Sequence, residues 1–478
     1  MLGPRLLEQI LDRAADLDEL HRFETQGNAC GWCREPVRLI GYVDEVDTTT
    51  GRRARRFSTV GEPDGVLLKA CGSRRVTRCP SCAQVYKQDA RQLIAAGLQG
   101  GKGVSESVAG HTAAFVTLTA PGFGAVHGCR RGDPRQPCRP GSAKQRCVHG
   151  RPTSCWARHA SNAPELGEPL CADCYDYRTA VLWNATVGEL WRRTTIYLRR
   201  ILARLFVLTP RELDRRMRVS YAKVVEYQRR GVVHVHAVVR LDGPEGPSEV
   251  PAFDVDPGKL ALAIRLAIGQ VGAPFPEGLG TARWGHQLDI RVIADAKEGL
   301  RSPAVANYIA KYACKSADEG GVLDRRFRSD VDLEDRPLPD HHRRLARTAW
   351  ELGGRPEHRD LHLRYWAHDL GYRGHWLTKS RRWSTTLGAL RRARCEWKEQ
   401  QHRAREIEAG EHDGPPPLLE GSWQFVGTGW STPGDAYLAD QARRSRTEAR
   451  CLAREQRHLE LEPERLGGTE ESSERRDS

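Results

Sequence analysis

The sequence predicts an α+β fold: a central antiparallel sheet of four or five strands with helices on one face, cysteine-rich modules attached to it, and a helical C-terminal region. Three observations predict it. EYQRRGVVHVH (Glu226 to His236) alternates as two strands joined by a short turn. VLWNATVGELWRRTTIYLRRILARLF sets Val187, Leu190, Trp191, Tyr197, Leu198, Ile201 and Leu205 at helical spacing. Eleven of the fourteen cysteines precede residue 175, where metal-stapled modules replace apolar cores.

The chain has 478 residues, enough for several domains. A net charge of +13 and a pI near 9.2 favour a polyanionic partner, DNA or RNA. No run of about 18 apolar residues appears, and MLGPRLLEQILDRAADLDEL reads as an amphipathic helix with acidic residues rather than a signal peptide. A cytoplasmic protein with no membrane partner is expected. In a reducing compartment, so many cysteines point to zinc rather than disulfides.

Four segments follow in order. Residues 1–100 hold the N-terminal helix and a zinc-ribbon-like module, with CGWC (Cys30, Cys33) and CPSC (Cys79, Cys82) supplying four thiolates to one tetrahedral ion. Cys71 is either a bystander or a substitute ligand. Residues 101–330 form the main domain. Its strand AAFVTLTAPGFG ends at Pro121 and Gly122 with Phe115, Thr117 and Thr119 on one face. An insertion at about 125–176, rich in Gly, Pro, Arg and His, reads as a second metal-stapled module. Its first-choice ligands are Cys147, Cys155, Cys171 and Cys174, with Cys138 or His149 as replacements.

In the hairpin that follows the long helix, Arg229, Arg230 and Gly231 make the turn, and Gly231 accepts a positive φ. In the simplest register Glu226 faces His234, and His236 shares that face. Two imidazoles and a carboxylate there are either ligands for a divalent ion or half-buried strand residues. After a helix at Leu260–Ile268 and a strand at Gln287–Ile293, SPAVANYIAKYACKS opens with an N-cap serine and Pro303. Tyr308, Lys311 and Tyr312 occupy one side of that helix. Residues 331–455 read as a basic helical region. Here Trp366, Trp376 and Trp383 either pack or stack on DNA among cations such as Lys379, Arg381 and Arg382. Residues 456–478 look like a disordered tail.

The ordered set FVTLTAPGFGAVH, EYQRRGVVHVHAVVRLDG, YIAKYACKS and LGYRGHWLTKSRRWSTT resembles the HUH endonuclease superfamily, and within it the rolling-circle replication initiators of actinomycete plasmids and integrative conjugative elements. The resemblance implies a ferredoxin-like or RRM-like central sheet. It also implies a metal-dependent nicking and joining reaction at an origin presented as a single strand or extruded hairpin. Tyr308 would be the nucleophile that forms a 5′-phosphotyrosyl intermediate, with Lys311 at the phosphate. Tyr312 would be a second nucleophile or a packed aromatic. Glu226, His234 and His236 would hold Mg²⁺ or Mn²⁺, with Zn²⁺ in the cysteine clusters. Thr117, Thr119, Arg229, Arg230, Lys379, Arg381 and Arg382 would contact DNA. No GxxxxGK[ST] loop is present, so a host helicase and polymerase would be required. A single-strand transposase would share the chemistry. A zinc-dependent DNA-binding regulator, with the Glu–His–His trio purely structural, is the non-enzymatic alternative. A conjugative relaxase fits poorly, because its tyrosine usually precedes the histidines.

Overall fold

The computed structural model describes residues 3–47, 50–129, 133–293, 305, 325–408 and 418–466. Its longer helices are α1 (Pro4–Ala14), α2 (Leu17–Ala29), α3 (Pro80–Gln99), α4 (Tyr177–Leu205), α5 (Pro257–Gln270), α6 (Asp340–Leu352), α7 (Leu387–Glu408) and α8 (Pro433–Leu466). The strands that build the two larger sheets are β1 (Val37–Val46), β2 (Arg53–Ser58), β3 (Leu67–Lys69), β4 (Ala113–Leu118), β5 (Arg218–Tyr227), β6 (Val233–Asp242), β7 (Leu288–Ile293), β8 (Leu377–Lys379) and β9 (Leu418–Thr428). Among the described residues no helix is long and apolar enough to cross a membrane.

The chain clusters into two compact units, Met1–Val85 with Glu406–Ser478, and Tyr86–Arg405. This division differs from four consecutive segments because β9 pairs along the whole of β1, from Val37 opposite Thr428 to Val46 opposite Leu418. In the first unit β1 lies between β9 and β2 and also pairs with β3, all antiparallel. Trp32 and Trp430 stack at 6.0 Å beside Phe23. The buried Arg13 guanidinium ties α1 to Asp64 and Asp435 at 2.8 Å each, and the pairing raises its already high pKa further. Helix α8 continues to Leu466, ten residues past the expected start of a tail at 456.

The second unit is built on a five-stranded antiparallel sheet, β8-β5-β6-β4-β7, with the histidine strand β6 at its centre. On one face Val225, Val233, Val235, Val239 and Leu241 pack against α4, α5 and α6. Asp176 caps α4 by accepting from the Thr179 N–H. Each core residue such as Trp183 or Leu190, fully removed from water, contributes about 1.5–3 kcal/mol.

The opposite face is covered too. Ala113, Phe115, Ala222, Val224 and Val238 pack against Leu93, Ile94 and Leu98 of α3, against Trp383, and against Val305. Helices on one face was therefore too simple a picture. VVHVHAVV is apolar on both sides except where the histidines stand, and a strand of that kind is stable only between two layers. Trp383 is completely buried and belongs to this core rather than to an exposed stacking surface.

Candidate functional site

β5 and β6 pair in the register that sets Glu226 directly opposite His234. The loop closes with the Gln228 N–H donating to the Val232 carbonyl at 2.9 Å, and Gly231 takes φ +70°, where a side chain would be strained. From α4, the fully buried Asn184 clasps this hairpin. Its amide donates to the Gly231 and Leu370 carbonyls at 3.0 and 2.9 Å, and its oxygen accepts from the Val233 N–H at 3.1 Å.

On the shared face, His236 Nε2 lies 3.5 Å from a Glu226 carboxylate oxygen, and the two imidazole rings are 4.6 Å apart. Thr117 stands opposite His236 on β4, with its hydroxyl 3.2 Å from Nδ1, and Phe115 stacks parallel to that ring. With Nδ1 occupied by Thr117, Nε2 is the nitrogen that faces the carboxylate, an arrangement that fixes a ligand's orientation. His234 Nδ1 is buried with no hydrogen-bond partner among the described residues. Burial, followed by the neighbouring His236 and Arg230 charges, pushes its pKa down to about 3, so the imidazole is neutral at physiological pH.

The remaining expected DNA contacts are partly committed elsewhere. Thr119 is buried and donates to the Gln287 carbonyl at 2.7 Å. Arg229 donates to the carbonyls of Ser161 and Ala163, and Arg230 to those of Pro121 and Ala120. Lys379 Nζ faces the Ser384 carbonyl at 3.0 Å, and burial lowers its pKa. Arg382 donates to the Pro244 carbonyl at 2.5 Å, while Arg381 is exposed. Tyr308, Lys311 and Tyr312 lie outside the described residues. Val305, three positions before Tyr308, is buried on the same sheet face as the histidines.

Among the described residues, three groups of four cysteines and histidines have ligand atoms all within 4.8 Å of one another: Cys33/Cys71/Cys79/Cys82, Cys147/His149/Cys171/Cys174 and His127/Cys138/Cys155/His159. The trio Glu226, His234 and His236 is not drawn together that closely among the described residues. In the first group the thiol of Cys33 is 3.7 Å from those of Cys79 and Cys82, and Cys71 is 3.7 Å from Cys82. A tetrahedral zinc ion sets ligand atoms about 3.3–3.8 Å apart, given Zn–S near 2.3 Å and Zn–N near 2.0–2.1 Å, so the spacing fits.

Membership departs from the expected sets. Cys71 takes the place of Cys30, which caps the C-terminus of α2 and turns its thiol to the Gly27 carbonyl at 3.5 Å. In the insertion, His149 joins Cys147, Cys171 and Cys174, with its Nδ1 3.2 Å from Cys174. Cys155 leaves that set because the Arg139–Cys155 backbone pairing folds it back beside Cys138. His127 and His159 complete the third group and were missed. The C-x₃-H spacing of CWARH was the available signal.

A sequence profile of the family described as "Replication initiator protein, pSAM2" matches residues 19–444. A curated "Replication initiator protein" from Streptomyces ambofaciens is 41% identical over 475 residues, which is 97% of this chain and 98% of the relative. No solved structure matches. With a profile match over most of its length and a relative aligned almost end to end, this chain belongs to the pSAM2 replication initiator protein family.

Proposed function

We propose that this chain initiates rolling-circle replication as an HUH-type endonuclease, nicking and rejoining one strand of origin DNA. One observation carries the reading. In a member of a replication initiator family, Glu226 faces His234 across the central hairpin, with His236 beside them and a threonine orienting it. The donor set fits a divalent cation. His234 Nδ1 is a buried nitrogen unpartnered among the described residues, its ring is neutral, and a carboxylate is at hand. Mg²⁺ or Mn²⁺ held there would supply positive charge to stabilise the phosphate as its negative charge grows.

The protein's own part is positioning and attack. The Tyr308 phenol oxygen bonds to phosphorus in line with the departing 3′ oxygen, the phenol loses its proton, and the released 3′-hydroxyl gains one. The 5′-phosphotyrosyl bond conserves the energy needed for rejoining. Lys311 neutralises a phosphate oxygen, and Tyr312 is available for a second transfer. The free 3′-hydroxyl is then extended by a host polymerase with a host helicase, in the cytoplasm. The exposed Arg381 leads the strand in, and zinc in the cysteine groups maintains the attached modules.

The test is a denaturing gel with a labelled single-stranded origin oligonucleotide and added Mg²⁺ or Mn²⁺. An SDS-stable adduct is expected, absent in Tyr308→Phe and in His236→Ala. A DNA-binding regulator would form no adduct under any metal condition, and that outcome would sink the proposal.

A further inference from the structure

We propose that His127, Cys138, Cys155 and His159 form a zinc site of their own, and that this site braces the loop joining Glu226 to His234. The ligand atoms are spaced for one tetrahedral ion. His127 Nδ1 to His159 Nε2 is 3.2 Å, Cys138 Sγ to His127 Nδ1 is 3.8 Å, and Cys155 Sγ to His159 Nε2 is 3.7 Å. Two thiolates with two imidazoles select zinc among common intracellular cations. The surroundings are those of a ligand set as well. The Gly128 N–H points at Cys138 Sγ at 3.2 Å, and the second nitrogen of His159 faces Glu165 at 3.9 Å.

The site is joined to the hairpin by a short path. His127 and Gly167 are tied by the Gly167 N–H to the His127 carbonyl at 2.9 Å, and the His127 N–H donates to Glu168 at 2.8 Å. Gly167 has φ +93°, and a Cβ there would lie 2.4 Å from the Arg229 carbonyl, so the loop backbone rests directly on this glycine. Two and four residues past His159, the Ser161 and Ala163 carbonyls accept the Arg229 guanidinium at 2.8 and 3.2 Å. The segment from 159 to 167 has little apolar surface of its own: Leu166 is buried, but most other side chains are polar, small or exposed. A metal crosslink at its start is what keeps those acceptors in place. Arg229 is thus a positioning residue for the candidate site, and His159 acts on it through the backbone.

The purpose assigned to the brace rests on the nicking proposal, but its test needs no DNA. Zinc per chain is measured by atomic emission on the purified full-length protein, and amide hydrogen exchange is followed in peptides spanning 226–236. Wild type is expected to hold three zinc ions. His159→Ala and Cys138→Ser should each hold one fewer and exchange roughly tenfold faster in the hairpin loop, with α4 unchanged. His159→Cys should restore both the zinc and the slow exchange. Arg229→Ala should keep full zinc yet show the faster loop. Full zinc in His159→Ala and Cys138→Ser overturns the site, and zinc loss with unaltered hairpin exchange overturns the brace. If the ligand variants do not fold, cobalt-substituted wild type reads the site directly. One ion must show the two-sulfur, two-nitrogen spectrum, and its absence refutes the proposal, while Arg229→Ala still decides the brace.

Discussion

Replacing Asn184 by alanine removes a buried side chain that ties α4 to the C-terminal end of the hairpin loop and to Leu370. Three hydrogen bonds are lost, to Gly231, Leu370 and Val233. At a net value of about 1 kcal/mol each, this costs about 3 kcal/mol. The Val233 N–H, on a completely buried residue, then faces no acceptor, and an unsatisfied buried donor adds about 1 kcal/mol or more. The expected loss is therefore about 4 kcal/mol, which is large against the stability of a typical domain. Asn184→Asp sharpens the test. It keeps an acceptor for Val233 but turns a carboxylate oxygen toward two carbonyls, so it should be no more stable than alanine although it is nearly isosteric. Urea unfolding followed by tryptophan fluorescence measures both, with Trp183 next in sequence as a reporter. A loss below about 1 kcal/mol in alanine, or an aspartate variant as stable as wild type, would show that the clasp does not hold the hairpin.

Arg240→Met should cost about 3–5 kcal/mol in the same assay, because losing the fully buried Arg240–Asp242 pair at 2.6 Å would leave the Asp242 carboxylate with His111 and Ser220 beside it but no guanidinium. His341 and His342, whose pKa values burial lowers to about 4, make the fold acid-sensitive. The unfolded chain takes up these protons near pH 6.5 and the folded one only near 4, so as pH drops through that window each costs about 1.4 kcal/mol of stability per unit, beside a similar share from His234, and His342→Leu should flatten the slope by about a third. Thr117→Val should weaken Mn²⁺ binding by about 10–100-fold in a titration while leaving the melting temperature nearly unchanged. Cys71→Ser should hold one zinc ion fewer by atomic emission, whereas Cys30→Ser should keep the wild-type content.

The local parts of this structure were legible in the sequence. Alternation and turn chemistry are short-range, so the hairpin, its register and the positive φ of Gly231 follow from residues 226–236 alone. Ligand sets were not, because spacing shows which thiols exist but not which way a chain end turns them. Cys30 is three residues from Cys33 yet is withdrawn by the helix it terminates, and Cys155 is carried off by a pairing with Arg139 sixteen positions earlier. The stretch LLEGSWQFVGT sits inside a region read as helical, although it forms β9 with most side chains exposed. Its partner strand begins 381 residues upstream of it, at Val37, and no local pattern reports a contact at that separation.

That distant pairing has a consequence for synthesis. β1 leaves the ribosome early, but the strand that covers its edge is translated only after the whole of residues 86–405. At 5–20 residues per second the wait is roughly 20–70 s. During that interval β2 and β3 can settle, yet most of one side of β1 offers open backbone groups to any neighbouring nascent chain. A product cut short before Leu418 stays in that condition permanently. Fragments for expression are therefore expected to aggregate if they keep residues 37–46 and omit 418–428, and to remain dispersed when both strands are kept or both removed.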